Sequence, residues 1–157
     1  MSYALCALAL LLAAPEAVVS PDEVAVGRTL DDFHRAAAAA DEVRYFSHLA
    51  PDGVFLGTDP GERWTTPEFR AYAHPHFAAG KGWTYVPRAR HVTVAGDVAW
   101  FDEIVDNAKY GACRGTGVLE RSGGEWKIAL YSLTFLVPND LAEKVTAEVR
   151  AASRQKR

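Results

Sequence analysis

The chain has 157 residues, 49% apolar and 24% charged, which fits one globular domain with a substantial core and leaves no room for a second. Its formal charge is −3, and Lys and Arg are scattered except in the tail Arg150, Arg154, Lys156 and Arg157. No basic face is available for a phosphate backbone, so nucleic acid is not an expected partner.

In chain order, Tyr3 to Ala14 is uncharged and apolar, too short for a comfortable membrane span and suited to a secretory h-region. The expected signal peptide covers residues 1–17, with a mature start between Pro15 and Ser20; an uncleaved anchor and a misassigned start are the alternatives. Export to the periplasm or the extracellular space follows from this reading, with no membrane association once the leader is removed. Removal also leaves Cys113 without a cysteine partner, and a lone thiol in a strand reads as a small buried hydrophobe.

Ser20-Pro21-Asp22-Glu23 has the pattern of a capping box with proline at the first helical position, so a helix is predicted from Pro21. Val26, Leu30, Phe33 and Ala37 form its inward stripe, and His34 and His48 read as helix-surface residues. Asp41 caps a short second helix with Val43, Phe46 and Leu49 inward, ended by the turn Pro51-Asp52-Gly53. Val54 to Gly57 and Glu62 to Thr65 predict a small hairpin, and Thr66-Pro67-Glu68 opens a third helix that Pro75 should kink or shorten. Four strands follow, at Trp83–Val94, Val98–Asn107, Ala112–Arg121 and Trp126–Leu136, joined by Gly-containing turns that predict antiparallel neighbours. Pro138-Asn139-Asp140 then caps a terminal helix with Leu141, Val145 and Val149 inward.

The order of elements, together with Trp64 in Glu62-Arg63-Trp64-Thr65, Gly96-Asp97-Val98-Ala99-Trp100, Arg114 with Thr116 and Val118, and Gly124-Glu125-Trp126-Lys127-Ile128, resembles the NTF2-like superfamily and its SnoaL-like branch. The resemblance implies an α+β fold, a cone whose curved antiparallel sheet wraps around three N-terminal helices, followed by a C-terminal helix. It spans residues 18–140 as the domain, leaving 141–157 as C-terminal helix and basic tail. It also implies that Arg114 and Thr116, and Trp126, Ile128, Leu130, Ser132 and Thr134, look into the cone. Some relatives carry pocket histidines where this chain has Leu130 or Ser132. The superfamily hosts enzymes, assembly domains and binding modules on one scaffold, so function must be argued from the site.

Arg114 sits mid-strand between small residues, and a guanidinium pointing inward there needs a carboxylate or an anionic ligand. Adjacent strand residues face opposite sides, so one of Asp102 and Glu103 points inward; Glu103 shares parity with Ala99, Phe101 and Val105 and is favoured as the partner. Trp64, Tyr72, Trp83, Tyr85, Trp100, Trp126 and Tyr131 exceed what a small core needs and offer aromatic walls, Trp126 reading most simply as core packing, with Ser132 on the last strand and His76 at the rim. His74 and His76 flank Pro75 without dedicated ligand spacing, so no metal is expected, and no cofactor motif is present. The expected function is an exported domain binding a small acidic or aromatic molecule in a cone-shaped pocket. The alternative is a small cofactor-independent acid–base enzyme of the isomerase, cyclase or hydratase type, and a homodimer through the open sheet face is compatible with both.

Overall fold

A computed structural model of the protein describes residues 19–155; the candidate leader lies outside them. Helix α1 (Pro21–Ala38) starts as its capping box requires, with Ser20 Oγ accepting from the Glu23 amide at 3.1 Å and the Glu23 carboxylate accepting from the Ser20 amide at 2.6 Å. Helix α2 (Glu42–Ser47) is capped by Asp41 and buries Tyr45 and Phe46, while Val43 faces solvent. Strand β1 (Leu49–Leu56) begins before the expected turn, because a register irregularity between Leu49 and Val54 absorbs Pro51-Asp52-Gly53 within the strand. Strand β2 (Arg63–Thr65) closes a hairpin onto it.

Helix α3 (Thr66–Ala78) runs through Pro75 rather than stopping there. Phe69, Ala73 and Phe77 anchor it on both sides of the proline, and this burial offsets the missing backbone hydrogen bond. Strands β3 (Val86–Ala95), β4 (Val98–Asn107), β5 (Gly111–Ser122) and β6 (Glu125–Phe135) form an antiparallel meander. A 3-10 turn (Asn139–Leu141) leads into helix α4 (Ala142–Gln155).

The six strands form one sheet in the order β2-β1-β6-β5-β4-β3. The fold is the expected α+β cone with one correction: β1 lies parallel to β6, so the sheet is mixed. Helices α1, α2 and α3 cover its inner face and enclose an aromatic core in which Phe33, Tyr45, Phe55, Phe69 and Tyr131 pack ring on ring. With that face already filled, α4 has no core to enter, and Leu141, Val145 and Val149 are exposed rather than inward. No described helix is long and apolar enough to cross a membrane.

Parity on the inner face decides which side chains can meet. In β4 it is Ala99, Phe101, Glu103 and Val105 that point in, and in β5 Cys113, Gly115, Gly117 and Leu119. Strand β6 begins with Trp126 and Ile128 inward, as expected, and then changes phase. Leu119 pairs with Ile128 but Val118 pairs with Leu130, so Ala129 is an extra residue, a β-bulge that turns Tyr131 and Leu133 inward and Ser132 outward. Gly115 and Gly117 make this possible: a Cβ on Gly115 would collide with the Tyr131 hydroxyl and the Glu103 carboxylate, and one on Gly117 with the Leu130 carbonyl and the Phe101 ring.

Candidate functional site

Glu103 is completely buried on the inner face of β4, and the polar side chains that reach it all donate. Its Oε1 accepts from His34 Nε2 at 2.7 Å and from the Tyr131 hydroxyl at 2.9 Å. Since a carboxylate only accepts, His34 must carry its proton on Nε2. Oε2 accepts from Arg90 Nε at 2.9 Å; Arg90 Nη2 lies 2.8 Å away but off the hydrogen-bond direction, contributing charge more than a directed bond. Arg90 Nη1 donates to the Gly27 carbonyl at 3.1 Å and to Asp31 at 2.8 Å, tying β3 to α1. Burial pushes the Glu103 carboxyl up, but the His34 bond and charge together with Arg90 outweigh it and hold the group below the ordinary glutamate range. Burial and the neighbouring Glu103 charge drive the Tyr131 phenol well above its usual value. The cluster is therefore a closed ion network: an anion, a guanidinium and two further donors with no open coordination.

A separate cavity of about 260 Å³ lies between the β1–β2 hairpin, α3 and the segment before β3. Trp64, Phe69, Tyr72, Trp83, Tyr85 and Tyr110 line it together with Phe55 and Leu133, and Glu62, Thr58 and Gly57 supply its polar side. Trp64 stacks on Tyr72 with centroids 4.8 Å apart and on Phe69 at 5.5 Å, and Trp83 stands edge-on to Phe77 at 4.9 Å, so the wall is braced by the core. The Tyr85 phenol is pushed up to about 12, first by burial and then by Cys113, Tyr110 and Glu62 nearby, and remains a neutral donor. None of Glu103, His34, Arg90 or Tyr131 lines this cavity.

A second hollow, of about 350 Å³, opens at the other end of α1 between Thr29, His48, Trp126 and Lys127. Beside it Asp32 gathers Arg44, Arg35 at 3.0 Å and His48 Nε2 at 2.9 Å. Hydrogen bonding from Arg44, then from Arg35 and His48, holds the Asp32 carboxyl well below the usual carboxylate range against its partial burial. Burial lowers the His48 imidazole more than its Asp32 bond raises it. Both shifts have the same sign in linkage, since each group takes up a proton more readily in the unfolded chain. Stability is thus expected to fall as pH drops below the ordinary histidine value of 6.5 and again below the ordinary aspartate value of 3.8. An Asp32→Asn variant should be less stable at neutral pH and decline more shallowly below the ordinary aspartate value of 3.8, where the carboxylate of the unmodified protein takes up its proton. Thermal midpoints of both proteins from pH 7 to pH 3 check this, and parallel curves would contradict it.

The structure separates the residues singled out from sequence. Trp64, Tyr72 and Trp83 meet in the aromatic cavity. Glu103 points inward, but its cation is Arg90, its cross-strand neighbour, and not Arg114. Arg114 is exposed on the outer face because Cys113 and Gly115 take the inward parity of β5, so the expected Arg114 pairing with Glu103 or Asp102 is not formed. Asp102 and Trp100 also face outward, Asp102 lying 3.5 Å from His91 and Trp100 being 48% exposed. Ser132 faces outward through the bulge, and His76 is exposed against Tyr72 at 5.6 Å without lining the cavity.

Sequence reasoning missed His34 and Arg90, and took Tyr131 as an aromatic wall rather than as a partner of Glu103. For His34 the signal was present, because it continues the Val26 and Leu30 stripe at four-residue spacing; it is buried rather than on the helix surface. Arg90 shares parity with the half-buried Val92 and Val94. Tyr131 carried no such signal, since its orientation depends on the bulge. Among the described residues no group of three or more His, Cys, Asp or Glu converges as a metal site would require.

A family model described as a SnoaL-like domain matches residues 26–138. Among solved structures, the chain is similar to a Streptomyces avermitilis protein of the NTF2-like family provisionally assigned as a dehydratase, at 19% identity and a TM-score of 0.62, covering 76% of this chain and all (100%) of that one. A protein from Novosphingobium aromaticivorans provisionally assigned as an aromatic ring hydroxylase aligns at 21% identity and a TM-score of 0.63, covering 76% and 93% of the two chains. One from Shewanella frigidimarina provisionally assigned as a ketosteroid isomerase aligns at 24% identity and a TM-score of 0.55, covering 69% and 94%. At these identities the likeness is one of fold. No curated protein matches the sequence.

Proposed function

The chain belongs to the SnoaL-like domain family, and from that premise we propose that it is an exported protein that binds a small, flat organic molecule in the cavity walled by Trp64, Tyr72 and Trp83. The observation that carries the reading is the composition of that wall: large rings already stacked on the core, with a carboxylate, a hydroxyl and phenols along one side. Such a cavity offers apolar contact area at little cost in side-chain ordering, and a few polar groups to orient what enters. Among the described residues no Lys, Arg or His lines it, so the acidic ligand anchored by Arg114 gives way to a neutral or donor-bearing one.

Binding can be measured by ligand-observed magnetic resonance against a panel of small aromatic compounds, followed by titration of the tryptophan fluorescence. Replacing Trp64 with Ala should weaken any hit by about tenfold, the scale of one lost aromatic contact. An unchanged affinity would remove this cavity as the site.

A second reading, an acid–base enzyme, draws on the Glu103, His34 and Tyr131 cluster and on the dehydratase and isomerase assignments of proteins of similar fold. It is the weaker one, because the carboxylate is sealed and spent on its partners and no member of the cluster reaches the cavity. Turnover of a bound compound that is lost in a stably folded Glu103→Gln variant would reverse that order. Export rests on the uncharged apolar leader, and N-terminal sequencing of secreted protein is expected to give a start between Pro15 and Ser20.

A further inference from the structure

We propose that the molecule bound in the aromatic cavity is a small organic cation, an ammonium group carrying methyl or aryl substituents. This deepens the binding reading above and rests on it. Seven of the eleven residues lining the cavity are aromatic, and the single carboxylate among them, Glu62, is its only formally charged group at neutral pH. Aromatic rings present negative faces, and a desolvated cation gains most from them where a carboxylate adds to the same field.

Glu62 is built into this position. The hairpin turn brings the Glu62 amide 2.9 Å from the Asp59 carbonyl, and Oε2 of the side chain accepts from the Asp59 amide at 3.1 Å. The carboxylate crosses over Gly57, where even a methyl group would collide with it. Among the described residues no Lys, Arg or His forms an ion pair with it, whereas Asp32, Glu42 and Glu103 are all paired. No cationic side chain therefore neutralises it among the described residues, and it stands on the lining of the cavity. Lys109, next to the lining residue Tyr110, holds its ammonium over that ring 4.8 Å from its centroid; being exposed, it is screened by water. It also shows that a ring of this wall accepts a cation.

Three probes of matched shape test the assignment by calorimetric titration of the purified protein: 4-hydroxyphenyltrimethylammonium, its uncharged counterpart 4-tert-butylphenol, and 4-hydroxybenzoate. The cation should bind about tenfold more tightly than 4-tert-butylphenol, as expected for a desolvated cation over aromatic faces, and the acid most weakly. A Glu62→Gln variant should bring the cation to within about threefold of 4-tert-butylphenol, with the larger loss falling on the cation. If 4-tert-butylphenol binds as tightly as the cation to the unmodified protein, the charge preference is wrong and the cavity remains a site for neutral molecules. If none of the three binds at millimolar concentration, the binding reading itself falls with it. A tenfold preference that survives Glu62→Gln would overturn the carboxylate as its source.

Discussion

Replacing Glu103 with Ala is expected to destabilise the fold by about 3–5 kcal/mol, the range for removing one partner of a buried ion pair. The loss arises less from the attraction forfeited than from what remains. Arg90 keeps its charge in a site with little water, and the Tyr131 hydroxyl and the His34 Nε2 proton lose their acceptor. A double variant with Arg90→Met and Glu103→Leu should recover part of the loss, because an apolar pair leaves neither charge stranded. Denaturant titration of Arg90→Met, Glu103→Leu and the double variant gives the coupling energy directly. A loss below about 1 kcal/mol in Glu103→Ala would mean that water enters and hydrates the site, and that the network is not the closed structure described.

The second large effect is expected at Trp126, whose replacement by Ala should cost about 3–5 kcal/mol. Its ring is 6% exposed and shares the inward face of β6 with Ile128. The Arg121 guanidinium caps it, 4.6 Å from the ring centroid, and is itself held by Asp22 at 2.5 Å. Deleting the indole therefore opens a void at the end of the core and frees a cation from its stack. Equilibrium unfolding measures this loss too, and a change under about 1 kcal/mol would show that neighbouring side chains collapse into the space.

Both residues were legible in the sequence as inward-facing, and the reason is the same. Glu103 and Trp126 lie in stretches of unbroken alternation, where a period of two assigns each side chain a face. Past Ala129 the alternation slips, and with it the orientation of Tyr131 and Ser132; a bulge is a property of two paired strands and leaves no mark on one of them. Arg114 failed for a related reason, since its own strand holds glycine, threonine and cysteine around it and gives no apolar parity to read. The aromatic wall was visible as composition in Trp64, Tyr72 and Trp83. Tyr85 was visible in the same way, whereas Tyr110 and Glu62 join it only through the folding of the hairpin and the β4–β5 turn, which no local pattern encodes.

The parallel seam between β1 and β6 sets an order of events in time. Leu49 lies opposite Ile128 and Leu56 opposite Ser132, so the first strand of the sheet finds its central neighbour only when the last strand exists. The meander β3 to β6 can assemble from adjacent hairpins, but β1, β2 and the Trp64 wall must wait for a closure across about half of the chain's length. Folding should accordingly be slow for a protein of this size, with a late step that docks the first half onto the second. A chain still emerging from the ribosome, or being threaded across a membrane, would hold its helices without a sheet to cover until residue Phe135 is free, which makes Phe55, Phe69 and Trp64 the surfaces a chaperone would meet first.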